Sequence, residues 1–323
     1  MSVSRIRVLQ KAVREVRRHG PGLLVERFYR RKEILTSPAV ECDPAAGLEV
    51  HMQVCDRDWL NGFWTLKSFR RQCGAPYRLC LYLDFNVPAE VRGLVESNFP
   101  GAEMARHDWL DEQVRGRLAA VAPSLAALWR AHYSPTLYKM VNAWLCARQE
   151  RVVYLDPDVL FFAPPVEMLE FAGTNAPTKA IGLFNATAPP PAGLADTGGF
   201  CLDEADVRRA YGLSLPRDFN AGVGVLRLAG IDWGWLDEVL RTLRWLPDRS
   251  LMVDQTCLSL LAAKLGWERL DRARYIYTFD RKGPSTVASH YSGSAGREGF
   301  YAEGIPTVRQ IGLPGVHRNG FSS

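Results

Sequence analysis

RVVYLDPDVLFF, residues 151–162, sets two aspartates, Asp156 and Asp158, around a proline between two apolar runs. Val152 to Leu155 has the β-branched and aromatic character of a strand, and a second apolar run, Val159 to Phe162, follows at once. Upstream, Leu137, Met140, Val141, Trp144 and Leu145 recur at i, i+3, i+4, i+7 and i+8, the apolar stripe of a helix. The aspartates thus end a buried strand that follows a core-facing helix. Two residues apart, they face one side of an extended strand end. Paired carboxylates repel unless something positive neutralises them. A hard divalent cation does so through oxygen ligands and can also bridge phosphates. The residues alone leave a second reading open, in which one aspartate caps a turn set by Pro157 and the other is solvated.

Working outward, LEVHMQVC (48–55) alternates apolar and polar residues as a strand would, and WLNGFWTLKSFRRQCG (59–74) reads as a helix. YRLCLYLDF (77–85) is a second strand and VPAEVRGLVESNFPG (87–101) a second helix. The alternation predicts an α/β domain with a mainly parallel sheet, in which ligands gather beyond the carboxyl ends of the strands. That domain is placed at 47–323, with a flexible insertion at about 173–199, where Gly, Pro, Thr and Asn dominate.

The N-terminal segment 1–46 is different in kind. Ile6, Leu9, Val13 and Val16 make one apolar stripe among arginines, and Gly20-Pro21 ends the helix. Residues 1–33 hold ten Lys/Arg against three Glu, a net of +7 in a chain of net +5, which leaves −2 for the rest. Such a segment suits an anionic membrane surface or, equally, packing on the main domain or a second subunit. Nucleic-acid binding is not expected, because the charge lies off the folded body and away from stacking aromatics. The N-terminus lacks the apolar core of a secretory signal and no apolar run reaches the ~18–20 residues that span a bilayer. A cytoplasmic protein, peripheral at the inner face of a membrane, is the expectation. Seven scattered cysteines without a CxxC pair read as reduced thiols.

Five further stretches, in order, carry a resemblance. CDRDWLNGFWTLKS supplies Asp56, Trp59, Gly62, Leu66 and Ser68; YKMVNAWLC supplies Lys139; FNAGVGVLRL supplies Asn220 and Gly222; LMVDQTCLSLL supplies Asp254 and Gln255; SHYSGSAGRE supplies His290 and Gly293. With YLDPDVLFF, over residues 50–298, the chain resembles the GT-A glycosyltransferases, most of all the family 8 group that includes glycogenin and the bacterial lipopolysaccharide galactosyltransferases. The resemblance implies a Rossmann-like mixed sheet flanked by helices, with the basic N-terminal helical segment as an addition. It implies a Mn²⁺ (or Mg²⁺) ion on Asp156, Asp158 and His290, and a nucleotide-sugar donor, a UDP-sugar. Asp56 and Trp59 would hold the base, and Lys139, Gly293 and Arg297 the diphosphate end. Asn220, Asp254 and Gln255 would orient the sugar, with Gly222 giving the ligand backbone access.

The chain departs from the family pattern in places. Trp59 stands for the usual tyrosine, and Leu251 stands where an acidic residue is common. Gly296 stands where a lysine is usual, with Arg297 beside it, and the following Pro-Trp is missing.

The reaction implied is sugar transfer, with retention, to a glycan, a lipid-linked or a protein acceptor; no nucleophile or base can be nominated, and an oligomer is compatible. A non-catalytic sugar-nucleotide or glycan-binding module on a degenerate GT-A fold is the alternative. A DxD phosphatase of the haloacid-dehalogenase type is a weaker one, since residue 160 is Leu and the DxD follows about a hundred residues of α/β chain.

Overall fold

The computed structural model describes residues 29–84, 87–132, 138–173, 179–186, 200–244, 253–278 and 282–312. The strands, in chain order, are β1 (Glu49–Val54), β2 (Arg78–Leu83), β3 (Glu103–Ala105), β4 (Arg151–Leu155) and β5 (Val159–Phe161). They continue with β6 (Gly182–Ala186), β7 (Phe219–Arg227), β8 (Glu268–Arg269), β9 (Tyr275–Tyr277) and β10 (Ala288–His290). Among the described residues a seven-stranded sheet runs β3-β2-β1-β4-β7-β6-β8, and a smaller one runs β5-β10-β9. β7 is antiparallel to both neighbours, β4 and β6, and every other pairing in the large sheet is parallel. Helices cover both faces of this mixed sheet, as the alternating pattern required.

β4 is the axis of the site. Val152, Val153 and Leu155 are fully buried, each contributing about 1.5–3 kcal/mol of apolar burial. The two apolar runs around the aspartates belong to different sheets: β4 pairs with β1 and β7, whereas β5 pairs with β10. The aspartates therefore occupy the corner where the chain passes from one sheet to the other.

The alternation in β1 has a different cause from the one its pattern suggests. All six residues are buried, so the polar face of Glu49, His51 and Gln53 does not meet solvent. Glu49 pairs with Arg78 and accepts the N–H groups of Arg148 and Gln149, while His51 Nδ1 bonds the Tyr82 hydroxyl. Arg78 also pairs with Glu103. A ladder of opposite charges across three strands satisfies what water would otherwise solvate.

Residues 1–28 lie outside the described residues, so the amphipathic helix expected at 5–18 is not placed. What is described of the extension, a helix over 29–36 and the chain to 46, packs on the domain. Ile34 is fully buried in the same core as β1 and β2. Lys67, buried in the Trp59–Cys73 helix, reaches Ile34 O at 3.2 Å, Ser37 O at 3.2 Å, Ser37 Oγ at 2.7 Å, Pro38 O at 3.0 Å and Asn98 Oδ1 at 2.8 Å. Replacing Lys67 by Met keeps the stem but leaves these oxygens unmet, and is expected to cost about 2–3 kcal/mol in urea unfolding. An unchanged midpoint would show that the ammonium does not hold this segment.

The expected insertion at 173–199 needs correction in part. Gly182–Ala186 within it is β6, a fully buried strand between β7 and β8. The apolar run IGLFNA was masked by the Gly- and Pro-rich composition on either side. Residues 174–178 and 187–199 lie outside the described residues.

Candidate functional site

The corner loop is tied at every residue. Asp156 N–H donates to Gly222 O at 2.6 Å, and Tyr291 N–H donates to Asp158 O at 2.9 Å. Between them, Pro157 O accepts the Thr65 hydroxyl at 2.8 Å, and Phe161 N–H donates to Ser68 Oγ at 3.1 Å. Gly62, one turn earlier on that helix, lies against both β1 and the loop: a Cβ there would stand tightly at 3.0 Å from Met52 Sδ and in ordinary contact, 3.5 Å, with Pro157 Cβ. Gly62, Thr65 and Ser68, spaced by three, thus form a helix face that cradles the loop. Gly62 and Ser68 carried the resemblance; their role here is to hold the aspartates.

His290 ends β10 directly opposite Val159 of β5, which brings it beside Asp158. Its Nε2 lies 3.2 Å from Asp158 Oδ1 and 3.6 Å from Asp156 Oδ2. Its Nδ1 lies 3.0 Å from Asn220 Oδ1, which also accepts Gly222 N–H at 2.9 Å. The backbone donor assigns that amide oxygen as an acceptor, so Nδ1 carries the proton and Nε2 presents its lone pair to the carboxylates. Tyr277 packs edge-on to the imidazole, with centroids 5.3 Å apart. A Cβ at Gly222 would overlap the imidazole ring. The close approach that Gly222 permits is thus filled by His290, and a ligand need not occupy it.

One ligand atom from each of Asp156, Asp158 and His290 lies within 4.8 Å of the others. Asp158 Oδ1 and His290 Nε2 are buried without a hydrogen-bond partner. Two acceptors facing each other are costly unless a cation or a proton lies between them. Carboxylate oxygens with one neutral imidazole suit Mn²⁺ and, less closely, Mg²⁺.

Behind the triad, Lys139 pairs with Asp156, whose Oδ1 also accepts the Tyr154 hydroxyl at 3.1 Å. Burial works to lower the Lys139 pKa, but Asp156 more than offsets it and the net shift is upward. Asp254 lies in the first turn of the Val253–Leu265 helix, not at its cap, and accepts Met140 N–H from the Tyr138–Cys146 helix at 3.2 Å. Burial pushes its carboxyl up to about 7, opposed by Lys139. Between the ordinary value and 7 the unfolded chain is ionised while the native one keeps its proton, so this group costs stability as pH rises through that window and no further above it. The Asp254→Asn variant lacks this slope. Its unfolding free energy is expected to gain on wild type by a few kcal/mol from pH 5 to pH 8, and a constant gap across that range would contradict the assignment.

The remaining expected residues are placed as follows. Gln255 is bound to β7, donating to Phe219 O and accepting Ala221 N–H at 3.3 Å. Asp56 is half-buried in the turn after β1. Trp59 is buried in the core, edge-on to Phe63, with the Arg31 guanidinium 5.0 Å above its ring. A base stacked on that covered face requires Arg31 to leave. Gly293, at φ 74°, opens the Gly293–Gly299 helix in a conformation that favours glycine. A Cβ at Gly296 would overlap the Tyr291 carbonyl, so no side chain fits where the family has its lysine. Arg297, next along, lies 3.9 Å from Asp58 Oδ1. Leu251 lies outside the described residues.

No family model and no curated protein matches the sequence. Solved structures do match. Mouse xyloside xylosyltransferase 1, in its apo form, aligns over 78% of this chain and 97% of its own, at 15% identity and a TM-score of 0.51. The apo WbbM bifunctional glycosyltransferase aligns over 84% of this chain at 15% identity and a TM-score of 0.54. This chain spans about half of WbbM, 52% of its length.

The fold is that of the GT-A glycosyltransferases. At this identity the likeness is one of fold, and in the GT-A frame the triad lies where α/β sheets collect ligands, beyond the carboxyl end of β4. Two features of this GT-A chain escaped sequence reading: the cradle of Thr65 beside Gly62 and Ser68, and Asn185, a buried β6 residue that forms a cross-strand pair with Asn220. The sequence signal for Asn185 was a lone polar residue closing an apolar run.

Proposed function

We propose that the protein is a metal-dependent glycosyltransferase that moves a sugar, with retention, from a UDP-sugar to a hydroxyl of a glycan, lipid-linked or protein acceptor. The observation that supports it is the triad of Asp156, Asp158 and His290, with two buried acceptor atoms aimed at one point, on a GT-A fold. A divalent cation held there would supply Lewis-acid stabilisation of the charge that grows on the departing diphosphate. Lys139, charged and next to Asp156, adds a fixed positive charge on the buried side. Arg297 reaches Asp58 on the other side and offers a guanidinium that can exchange a carboxylate for phosphate oxygens. Asn220 holds the imidazole in the tautomer that leaves Nε2 free. Asp254 and Gln255, tied to Met140 N–H and to β7, are the residues we assign to orienting the sugar. The GT-A fold leaves the dehalogenase-type phosphatase reading without its scaffold.

The membrane reading continues from the root of the basic segment. The 29–36 helix is clipped to the C-terminal helix Ile305–Gln310 by Arg309 and Glu33 at 2.6 Å, and Arg31 covers Trp59 beside the turn that carries Asp58. An anionic membrane bound by residues 1–33 would then lie near the mouth of the site. No helix among the described residues is long and apolar enough to cross a membrane.

Release of UDP from a panel of UDP-sugars, with and without Mn²⁺, tests the reading. Slow hydrolysis of one sugar that requires the metal is the expected result. Nucleotide binding with no turnover of any donor, even with acceptor glycans supplied, would favour the non-catalytic module.

A further inference from the structure

The buried, unpartnered atoms of the Asp156, Asp158 and His290 cluster have a counterpart in the strand paired with Asn220. Asn185 is fully buried, yet neither its Oδ1 nor its Nδ2 meets a hydrogen-bond partner. Its place is set by an irregularity in the sheet. The β6–β7 register passes from Phe184 opposite Gly224 to Asn185 opposite Asn220, so Ala221, Gly222 and Val223 are left out of the pairing with β6. Irregularities of this kind re-aim side chains at sites. Opposed residues of an antiparallel pair share a face, with Cβ atoms roughly 5 Å apart. Asn220 directs its amide to His290 on that face. The Asn185 carboxamide therefore stands beside Asn220 on the side of the sheet that carries the metal triad.

We propose that Asn185 is a specificity-determining residue, whose carboxamide takes up one or two hydroxyls of the donor sugar. The inference rests on the transferase reading given above. A carboxamide offers one acceptor and two donor hydrogens, the set that matches a hydroxyl or a vicinal pair. A sugar linked to a diphosphate on the triad is the polyhydroxylated group nearest to this position. The bonds such a group makes would offset the penalty that the unpartnered carboxamide carries.

The test uses the full chain and the Asn185→Leu variant, which keeps the branching at Cγ and the number of side-chain heavy atoms but is apolar and bulkier. Three quantities are compared: thermal unfolding without ligand, UDP binding with Mn²⁺, and kcat/KM over a panel of UDP-sugars that includes epimers and deoxy analogues. The variant is expected to stay folded at the assay temperature and to bind UDP within about twofold of wild type. Its kcat/KM for the preferred sugar is expected to fall on the order of tenfold to a hundredfold, with discrimination against the epimers shrinking by the same factor. Loss of UDP binding with Mn²⁺ overturns the proposal, since the carboxamide would then hold the shape of the site rather than read the sugar. Unchanged discrimination overturns it too, whatever the stability. If the wild type turns over no donor, the transferase reading fails and this inference with it; an active wild type with an indifferent Asn185→Leu variant sinks the inference alone.

Discussion

Replacing Asp158 by alanine is expected to abolish metal-dependent donor turnover, by about a thousandfold or more in kcat, while leaving the fold intact. The backbone of Asp158 does the structural work at this corner, because its carbonyl accepts Tyr291 N–H, and alanine keeps that bond. The side chain contributes a buried oxygen 3.2 Å from His290 Nε2, which gains nothing from that contact when neither a metal nor a proton lies between the two atoms. The unfolding temperature of the metal-free variant should therefore equal or exceed that of metal-free wild type. With Mn²⁺ added, wild type should gain stability and the variant should not, because only a ligand bound to the native state shifts the equilibrium. Paramagnetic resonance of bound Mn²⁺ measures the same site without any substrate. Equal Mn²⁺ affinity in the two proteins would mean that the aspartates end a strand and nothing more.

The second large effect is expected from one methyl group. A Cβ at Gly222 would overlap the His290 imidazole, which lies flat against that backbone, and it cannot be relieved by a flexible tip because the contact is with the ring itself. In Gly222→Ala the imidazole must swing away, breaking its bond to Asn220 and withdrawing Nε2 from the carboxylates. Activity should fall by roughly a hundredfold or more, and stability by about 1–3 kcal/mol from overpacking. The mechanism is separable by a double-mutant cycle. His290→Ala opens the space that the new methyl needs, so Gly222→Ala should cost far less stability in that background, with a coupling of about 1–3 kcal/mol. Additive urea-unfolding energies would show that Gly222 is required for its backbone alone.

How legible the site was in the sequence depended on the range of each contact. Asp156 and Asp158 could be read because the strand, the turn and the charges all lie within one dozen residues. Lys139 could be placed by the helical stripe around it, and its ion pair with Asp156 spans only one helix and one strand. The purpose of Gly62, Ser68 and Gly222 could not be read. Ser68 and Gly222 serve partners far along the chain, the N–H of Phe161 and His290, and Gly62 leaves room for Met52 of β1. The motif resemblance marked Gly62 and Ser68 by spacing alone and Gly222 for access to a ligand, whereas the structure gives Ser68 to the loop and Gly222 to the histidine. Gly296 illustrates the same limit. Its departure from the family pattern reads as a lost cation, but the Tyr291 backbone leaves no room for a side chain there.

The sequence by itself determined the α/β class, the strand that ends at Asp156 and the helix that backs it, because hydrophobic period and turn chemistry are local properties. It also determined where charge resides, in an N-terminal segment distinct from a nearly neutral body. Tertiary structure decided the rest. Alternation in β1 looked half-exposed and proved to be a buried polar face, because Arg78 pairs there with Glu49 and the Tyr82 hydroxyl bonds His51. β6 was lost in the composition of its flanks until pairing with β7 gave it a place. Above all, the Asp156, Asp158 and His290 cluster exists only because β5 pairs with β10, setting Val159 against His290 across more than a hundred residues of chain. No local pattern encodes that register, since it is fixed by which buried faces the two sheets must share at their common corner.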